Sequence, residues 1–133
     1  MKICIVASNY YPNISNSLIL GASKVINKKG IKKIKKIYVP GIFEIPFVIS
    51  KNIKFYDAFI ALGCVIKGKT PHFDFISKAT IDSISQLSFI YKKPIGNAII
   101  TCLNKKQAFE RSNPEKKNKG GEAANAILSV LRV

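Results

Sequence analysis

Residues 58–66 read Ala-Phe-Ile-Ala-Leu-Gly-Cys-Val-Ile, nine positions without a charged, amide or hydroxyl side chain. A strand with one face in water alternates apolar and polar residues. A strand-length run that is apolar throughout fits a central parallel strand covered on both faces. Parallel neighbours cannot be joined by tight hairpins and need crossover connections, usually helices. This one segment therefore asks for helices before and after it, packed on opposite sides of a sheet.

The rest of the chain supplies them. Residues 2–8 (Lys-Ile-Cys-Ile-Val-Ala-Ser) predict a buried strand. Over 13–29, Ile14, Leu18, Gly21-Ala22 and Val25-Ile26 recur at helical spacing. Asn13 or Ser15 is the expected cap of that helix and Gly30 its terminator. A strand over 34–39 is stopped by Pro40-Gly41, and a helix over 43–53 follows, with Pro46 tolerated only in its first turn. After the central run and a polar loop comes a long helix over 73–91, then a strand over 95–103 beyond Pro94. Asn104 and Gln107 have capping-box spacing for a short helix to Arg111, and a last helix spans 121–131 after a Lys/Asn/Pro loop over 112–119. The order βαβαβαβα(α) predicts an α/β fold of three layers (α/β/α) around a four-stranded parallel sheet, flavodoxin-like. With 133 residues it forms one domain, 1–133, with no repeat or linker.

Composition removes several function classes. No apolar run is long enough to span a bilayer. The apolar start, Met1–Ala7, is too short for an export signal, so the cytoplasm, or an organelle matrix, is the expected location. Cys4, Cys64 and Cys102 each lie in a strand-like run and form no CxxC pair, which predicts buried inert thiols and no zinc site. The net charge of +15 raises the question of nucleic acid. Only Arg111 and Arg132 among the 22 basic residues are arginine, the side chain suited to bidentate phosphate and base recognition. The Lys28–Lys36 cluster reads as a solvated loop and strand entry, and no nucleic-acid partner is expected. The positive field can still draw in anionic substrates.

In open parallel sheets, ligands bind beyond the carboxyl ends of the strands. Four loops lie there. The first holds Tyr10 and Tyr11, able to stack on a planar heterocycle or to pack on a neighbour. The second holds Ile42, Phe43 and Glu44; the carboxylate can bind hydroxyl groups of a polyol or answer the helix dipole. The third runs Gly68-Lys69-Thr70-Pro71-His72. Its backbone N–H groups, its hydroxyl and the helix start behind it offer a phosphate cradle, although the P-loop pattern is absent. His72, the only histidine, has an ordinary pKa near neutrality and is a candidate general acid/base. The fourth region holds Arg111, able to grip phosphate or to pair with Glu110 or Glu115, and Lys119.

Three blocks carry a family resemblance: Val39-Pro40-Gly41-Ile42-Phe43-Glu44-Ile45-Pro46; Leu62-Gly63-Cys64-Val65-Ile66-Lys67-Gly68-Lys69-Thr70-Pro71-His72-Phe73-Asp74; and Glu110-Arg111 followed by Asn118-Lys119-Gly120. In order and spacing, over essentially the whole chain, they resemble the 6,7-dimethyl-8-ribityllumazine synthase family of riboflavin biosynthesis. The resemblance implies a condensation without metal or organic cofactor. The amine of 5-amino-6-(D-ribitylamino)uracil attacks the ketone of L-3,4-dihydroxy-2-butanone 4-phosphate to give an imine. Phosphate is eliminated, and ring closure with loss of water gives the lumazine. It implies that His72 relays protons, that Arg111 binds phosphate with Gly68, Lys69 and Thr70, and that Tyr10 stacks on the pyrimidine. Ile42, Phe43 and Glu44 then hold the ribityl chain, Val65 and Ile66 meet the pyrimidine through backbone groups, and Lys119 lines the site.

The sequence also departs from that pattern. Tyr11 stands where many members have asparagine, Lys67 where many have arginine, and Glu115 where lysine is common. Asn97 stands where many present a phenylalanine to the neighbouring subunit's site. The family implies homopentamers with sites between adjacent subunits. The start directly at the first strand favours a pentamer or decamer over a sixty-subunit shell.

Overall fold

The computed structural model describes residues 1–132. Its centre is β3 (Ala58–Ile66), the apolar run, flanked in an all-parallel sheet of order β2-β1-β3-β4. β1 is Lys2–Ser8, β2 Lys33–Val39 and β4 Ile95–Cys102. β1 and β3 are buried along nearly their whole length because each has a strand on either side and helices above and below. This is the doubly covered sheet that the apolar run demanded, with the flavodoxin-like strand order.

Alternation along the inner strands divides the interior. Ile3, Ile5 and Ala7 of β1, with Ala58, Ile60 and Leu62 of β3, face one layer built from α1 (Pro12–Lys28) and α5 (Lys119–Val130). Cys4, Val6, Phe59 and Ala61 face the other, built from α2 (Ile45–Asn52) and α3 (His72–Tyr91). A short helix, α4 (Lys105–Ser112), follows β4. α1 and α5 meet almost backbone to backbone. A Cβ on Gly120 would fall 2.1 Å from the Leu18 carbonyl oxygen, so only glycine permits this approach.

Several local expectations are corrected. Neither Asn13 nor Ser15 caps α1. Tyr11 precedes Pro12 at the helix start and offers no side-chain cap, and Ser15 instead donates from Oγ to the Ser8 carbonyl at 2.5 Å, tying the helix to the end of β1. Gly30 does follow α1, at φ +81°. The segment expected as one helix from 43 is a 3-10 turn, Ile42–Glu44, running into α2. Pro46 sits in the first turn of α2, where its missing N–H costs no hydrogen bond. α3 starts at His72, one residue early, and α5 at Lys119, two residues early, capped by Asn118 Oδ1. Asn104 accepts from the Gln107 N–H as a capping residue should, but the Gln107 side chain reaches back to the N–H of Leu103.

β2 is an outer strand, and Lys33, Lys35 and Lys36 on it are exposed. Among the described residues no helix is long and apolar enough to cross a membrane.

Candidate active site

At the carboxyl ends of β1 and β3 the first three loops enclose a cavity of about 460 Å³, within the usual range for a small-molecule site. Its lining comprises Ser8, Tyr10 and Tyr11 from the end of β1; Gly41, Ile42, Phe43 and Glu44 from the 3-10 turn; Cys64, Val65 and Ile66 from β3; and His72 and Ile76 from α3. Seven residues that the family resemblance assigns to the site thus share one hollow, Tyr10, Ile42, Phe43, Glu44, Val65, Ile66 and His72, with Tyr11 beside them.

Each wall has a local cause. The 3-10 turn lies directly on β3 because residue 63 is glycine; a Cβ there would come 2.9 Å from Ile42 Cγ2 and 2.9 Å from Ser8 Cβ. Ile42 is buried as a result, and Phe43 and Glu44 are left facing outward. The Gly41 N–H donates to Glu44 Oε1 at 2.9 Å, which fixes the carboxylate and leaves its second oxygen without a protein partner among the described hydrogen bonds. Tyr10 and Tyr11 meet edge to face, ring centres 4.9 Å apart. β3 ends in two half-buried residues, Val65 and Ile66, whose backbone borders the cavity.

The stretch Gly68–Thr70 is exposed and leads into α3. The His72 N–H donates to Thr70 Oγ1 at 3.4 Å, so the hydroxyl covers one of the free N–H groups at the helix start, and His72 itself is the first residue of the helix. The imidazole therefore borders the cavity from a helix end, with Ile76 one turn below it.

Cys64 contributes sulfur to the floor without becoming a nucleophile. Burial pushes its thiol up to about 12, reinforced by Cys102 beside it, and burial pushes the Cys4 thiol up to about 11. The three cysteines are free and buried, in line with the inert-thiol reading. No three His, Cys, Asp or Glu side chains among the described residues are grouped as a metal site would require.

Six of the expected site residues do not line this cavity: Gly68, Lys69 and Thr70, which stay exposed beside His72, and Asn97, Arg111 and Lys119. Phe59 on β3 and Lys67 just beyond it donate to the carbonyls of Pro94 and Cys102, and the register between them pairs Val65 with Thr101. In a parallel ladder with this phase, even-numbered residues of β4 bond β3, and odd-numbered ones turn their backbone groups outward. Arg111 Nη1 donates to the Thr101 carbonyl at 2.8 Å, and Asn97 Oδ1 accepts from the Ile99 N–H at 3.0 Å. Both side chains thus satisfy the outer edge of β4, the side facing away from β3. Asn97 also borders a separate groove of about 370 Å³ along α3 with Phe89 and Ile95. Lys119 opens α5, on the opposite face of the sheet from α3, and pairs with Glu122. The alternative role for Arg111, an ion pair with Glu110 or Glu115, is not formed among the described residues.

Ser8 and Ile76 also line the cavity, although the sequence gives them only structural roles. Ser8 is the last residue of β1, and Ile76 lies four positions after His72. The rules of strand end and helical turn both point to them.

A parallel α/β sheet with a cavity over its strand ends, lined by an imidazole, an anchored carboxylate and a tyrosine pair, has the build of an enzyme acting on small organic substrates. Comparison with known proteins agrees and narrows the class. The family described as 6,7-dimethyl-8-ribityllumazine synthase matches residues 1–133. Similar proteins include 6,7-dimethyl-8-ribityllumazine synthases of Buchnera aphidicola subsp. Acyrthosiphon pisum (41% identical over 138 residues, 99% of this chain and 86% of that protein) and Desulfovibrio desulfuricans (36% over 137 residues, 100% and 88%). Another is 6,7-dimethyl-8-ribityllumazine synthase 1 of Rhodopseudomonas palustris (38% over 139 residues, 99% and 85%). The chain belongs to the 6,7-dimethyl-8-ribityllumazine synthase family.

Proposed function

We propose that residues 1–133 act as one catalytic domain that condenses 5-amino-6-(D-ribitylamino)uracil with L-3,4-dihydroxy-2-butanone 4-phosphate to 6,7-dimethyl-8-ribityllumazine. The observation that carries this reading is the single cavity shared by Tyr10, Glu44 and His72 at the ends of β1 and β3, in a chain matched by the family from end to end.

The pyrimidine lies against Tyr10, with the backbone groups of Val65 and Ile66 opposite. Its ribityl chain follows the turn, where the free oxygen of Glu44 accepts from hydroxyl groups and Ile42 and Phe43 supply the apolar wall. The phosphate substrate is held at Gly68, Lys69 and Thr70. His72 takes the proton released as the amine adds to the ketone and returns one to the departing water. Holding the two reactants side by side supplies much of the acceleration, because an oriented pair reacts as if at very high concentration. No metal or organic cofactor is needed for these steps, and the reaction belongs in the cytoplasm.

Arg111, Asn97 and Lys119 serve the cavity of a second copy of the chain. Arg111 and Asn97 line the outer edge of β4, and large apolar side chains, Phe47, Phe75, Phe89 and Ile90, stand exposed on α2 and α3, which favours burial between copies. The assembly is a ring of five, or two such rings, with a site at each junction. Purified protein given both substrates is expected to form the lumazine chromophore well above the spontaneous background, and no excess over background refutes the reading. Mass photometry checks the assembly: a monomer at working concentration removes the shared site.

A further inference from the structure

Tyr10 cannot hold its own position. The residue is 70% exposed, and together with Tyr11 it borders both the main cavity and a second hollow of about 150 Å³, lined also by Pro12, Asn13, Ile14, Lys105 and Phe109. A ring this exposed has little packing to select one rotamer, whereas Tyr11 is partly buried. Its aromatic neighbour is Tyr11, at 4.9 Å and an interplanar angle of 79°. Tyr11, by contrast, is tied down. Its ring packs against the α1/α5 core, its carbonyl accepts from the Ser15 N–H, and Pro12 after it restricts its backbone to an extended form, observed at φ −117° and ψ 86°.

We infer that Tyr11 is a positioning residue: its fixed ring props Tyr10 upright as the stacking wall of the pocket, and so sets affinity for the planar heterocycle. The inference rests on the function proposed above. An edge-to-face pair contributes enough to change affinity by about two- to tenfold when it is lost.

The test is a double-mutant cycle on the full chain, read by fluorescence titration with 6,7-dimethyl-8-ribityllumazine and by KM for each substrate. Tyr11→Leu is expected to weaken lumazine binding and raise KM for the pyrimidine about two- to tenfold, with KM for the phosphate substrate unchanged. Tyr11→Phe keeps the ring and should stay within about twofold of wild type. In a Tyr10→Leu background, Tyr11→Leu should have no further effect. Equal losses in both backgrounds, a loss with Tyr11→Phe, or a rise in both KM values overturns the inference. Wild-type protein that neither binds the lumazine nor makes it overturns the proposed function instead.

Discussion

Replacing Gly63 by alanine puts a methyl group where β3 supports the turn that carries Glu44. The added Cβ would lie 2.9 Å from Ile42 Cγ2 and 2.9 Å from Ser8 Cβ. Carbon atoms rest about 3.5–4.0 Å apart, so something must move by roughly 0.6–1 Å. Ser8 belongs to β1, paired on both sides, and cannot retreat easily. Ile42 opens a single 3-10 turn and is the side that yields, taking Phe43 and Glu44 with it. Overpacking of this kind costs about 1–3 kcal/mol, which lowers Tm by roughly 3–15 °C for a chain of this size. A shift near 1 Å in a positioning group can cost about a hundredfold in rate. Steady-state kinetics should therefore show a rise of about tenfold or more in KM for the pyrimidine, while the phosphate substrate is little affected. Adding Ile42→Leu, which removes the clashing Cγ2 methyl and keeps the volume, should recover part of both losses. A Gly63→Ala protein with wild-type melting and wild-type KM would refute the claim that this contact sets the ribityl side of the pocket.

Other perturbations test other parts of the molecule. Arg111→Ala should raise KM for the phosphate substrate by about 10- to 100-fold, the worth of charge-assisted hydrogen bonds, and unchanged kinetics would remove Arg111 from the site. His72→Ala should slow turnover by less than about a hundredfold because positioning remains; complete loss with the fold intact, checked by circular dichroism, would show that proton transfer carries more of the barrier. Gly120→Ala should lower Tm by more than Gly63→Ala, since its methyl meets the Leu18 backbone at 2.1 Å and cannot be relieved by a rotamer change. The thiols of Cys64 and Cys4 are pushed up to about 12 and about 11 in the folded state, so the native chain holds protons that the unfolded chain has lost. That contribution is complete below about pH 9 and is lost as pH rises towards 11–12. Denaturant titrations at pH 8 and pH 10.5 should show lower stability at the higher pH, and replacing Cys64 by alanine should shrink the difference.

The layers of the fold were legible because their signal is local. The unbroken apolar run of β3 has one good home, and the helical spacing of Ile14, Leu18 and Ala22 has one face. The 3-10 turn at Ile42–Glu44 was not legible, because Ile42 is held there by a glycine in a strand twenty-one positions away. Most of the cavity followed from the rule that strand ends gather ligands, which brought Tyr10, Glu44 and His72 together. The direction taken by Arg111 did not follow from that rule, and for Asn97 only the family resemblance pointed to a neighbouring subunit. Whether a residue on or beside β4 turns towards β3 or away from it depends on the phase of the ladder, which a single sequence does not state.

The lysines of β2 have a consequence for how the protein behaves when concentrated. An outer strand is an open template on which another sheet can grow, and Lys33, Lys35 and Lys36 guard this one by charge rather than by shape. Two molecules approaching along these edges bring cation against cation. Salt shortens the reach of that repulsion to about 8 Å at 0.15 M and about 3 Å at 1 M. Beyond its functional assembly, the protein should therefore resist further association along these edges in dilute buffer and begin to aggregate as salt is added, the opposite of a chain that brine keeps apart.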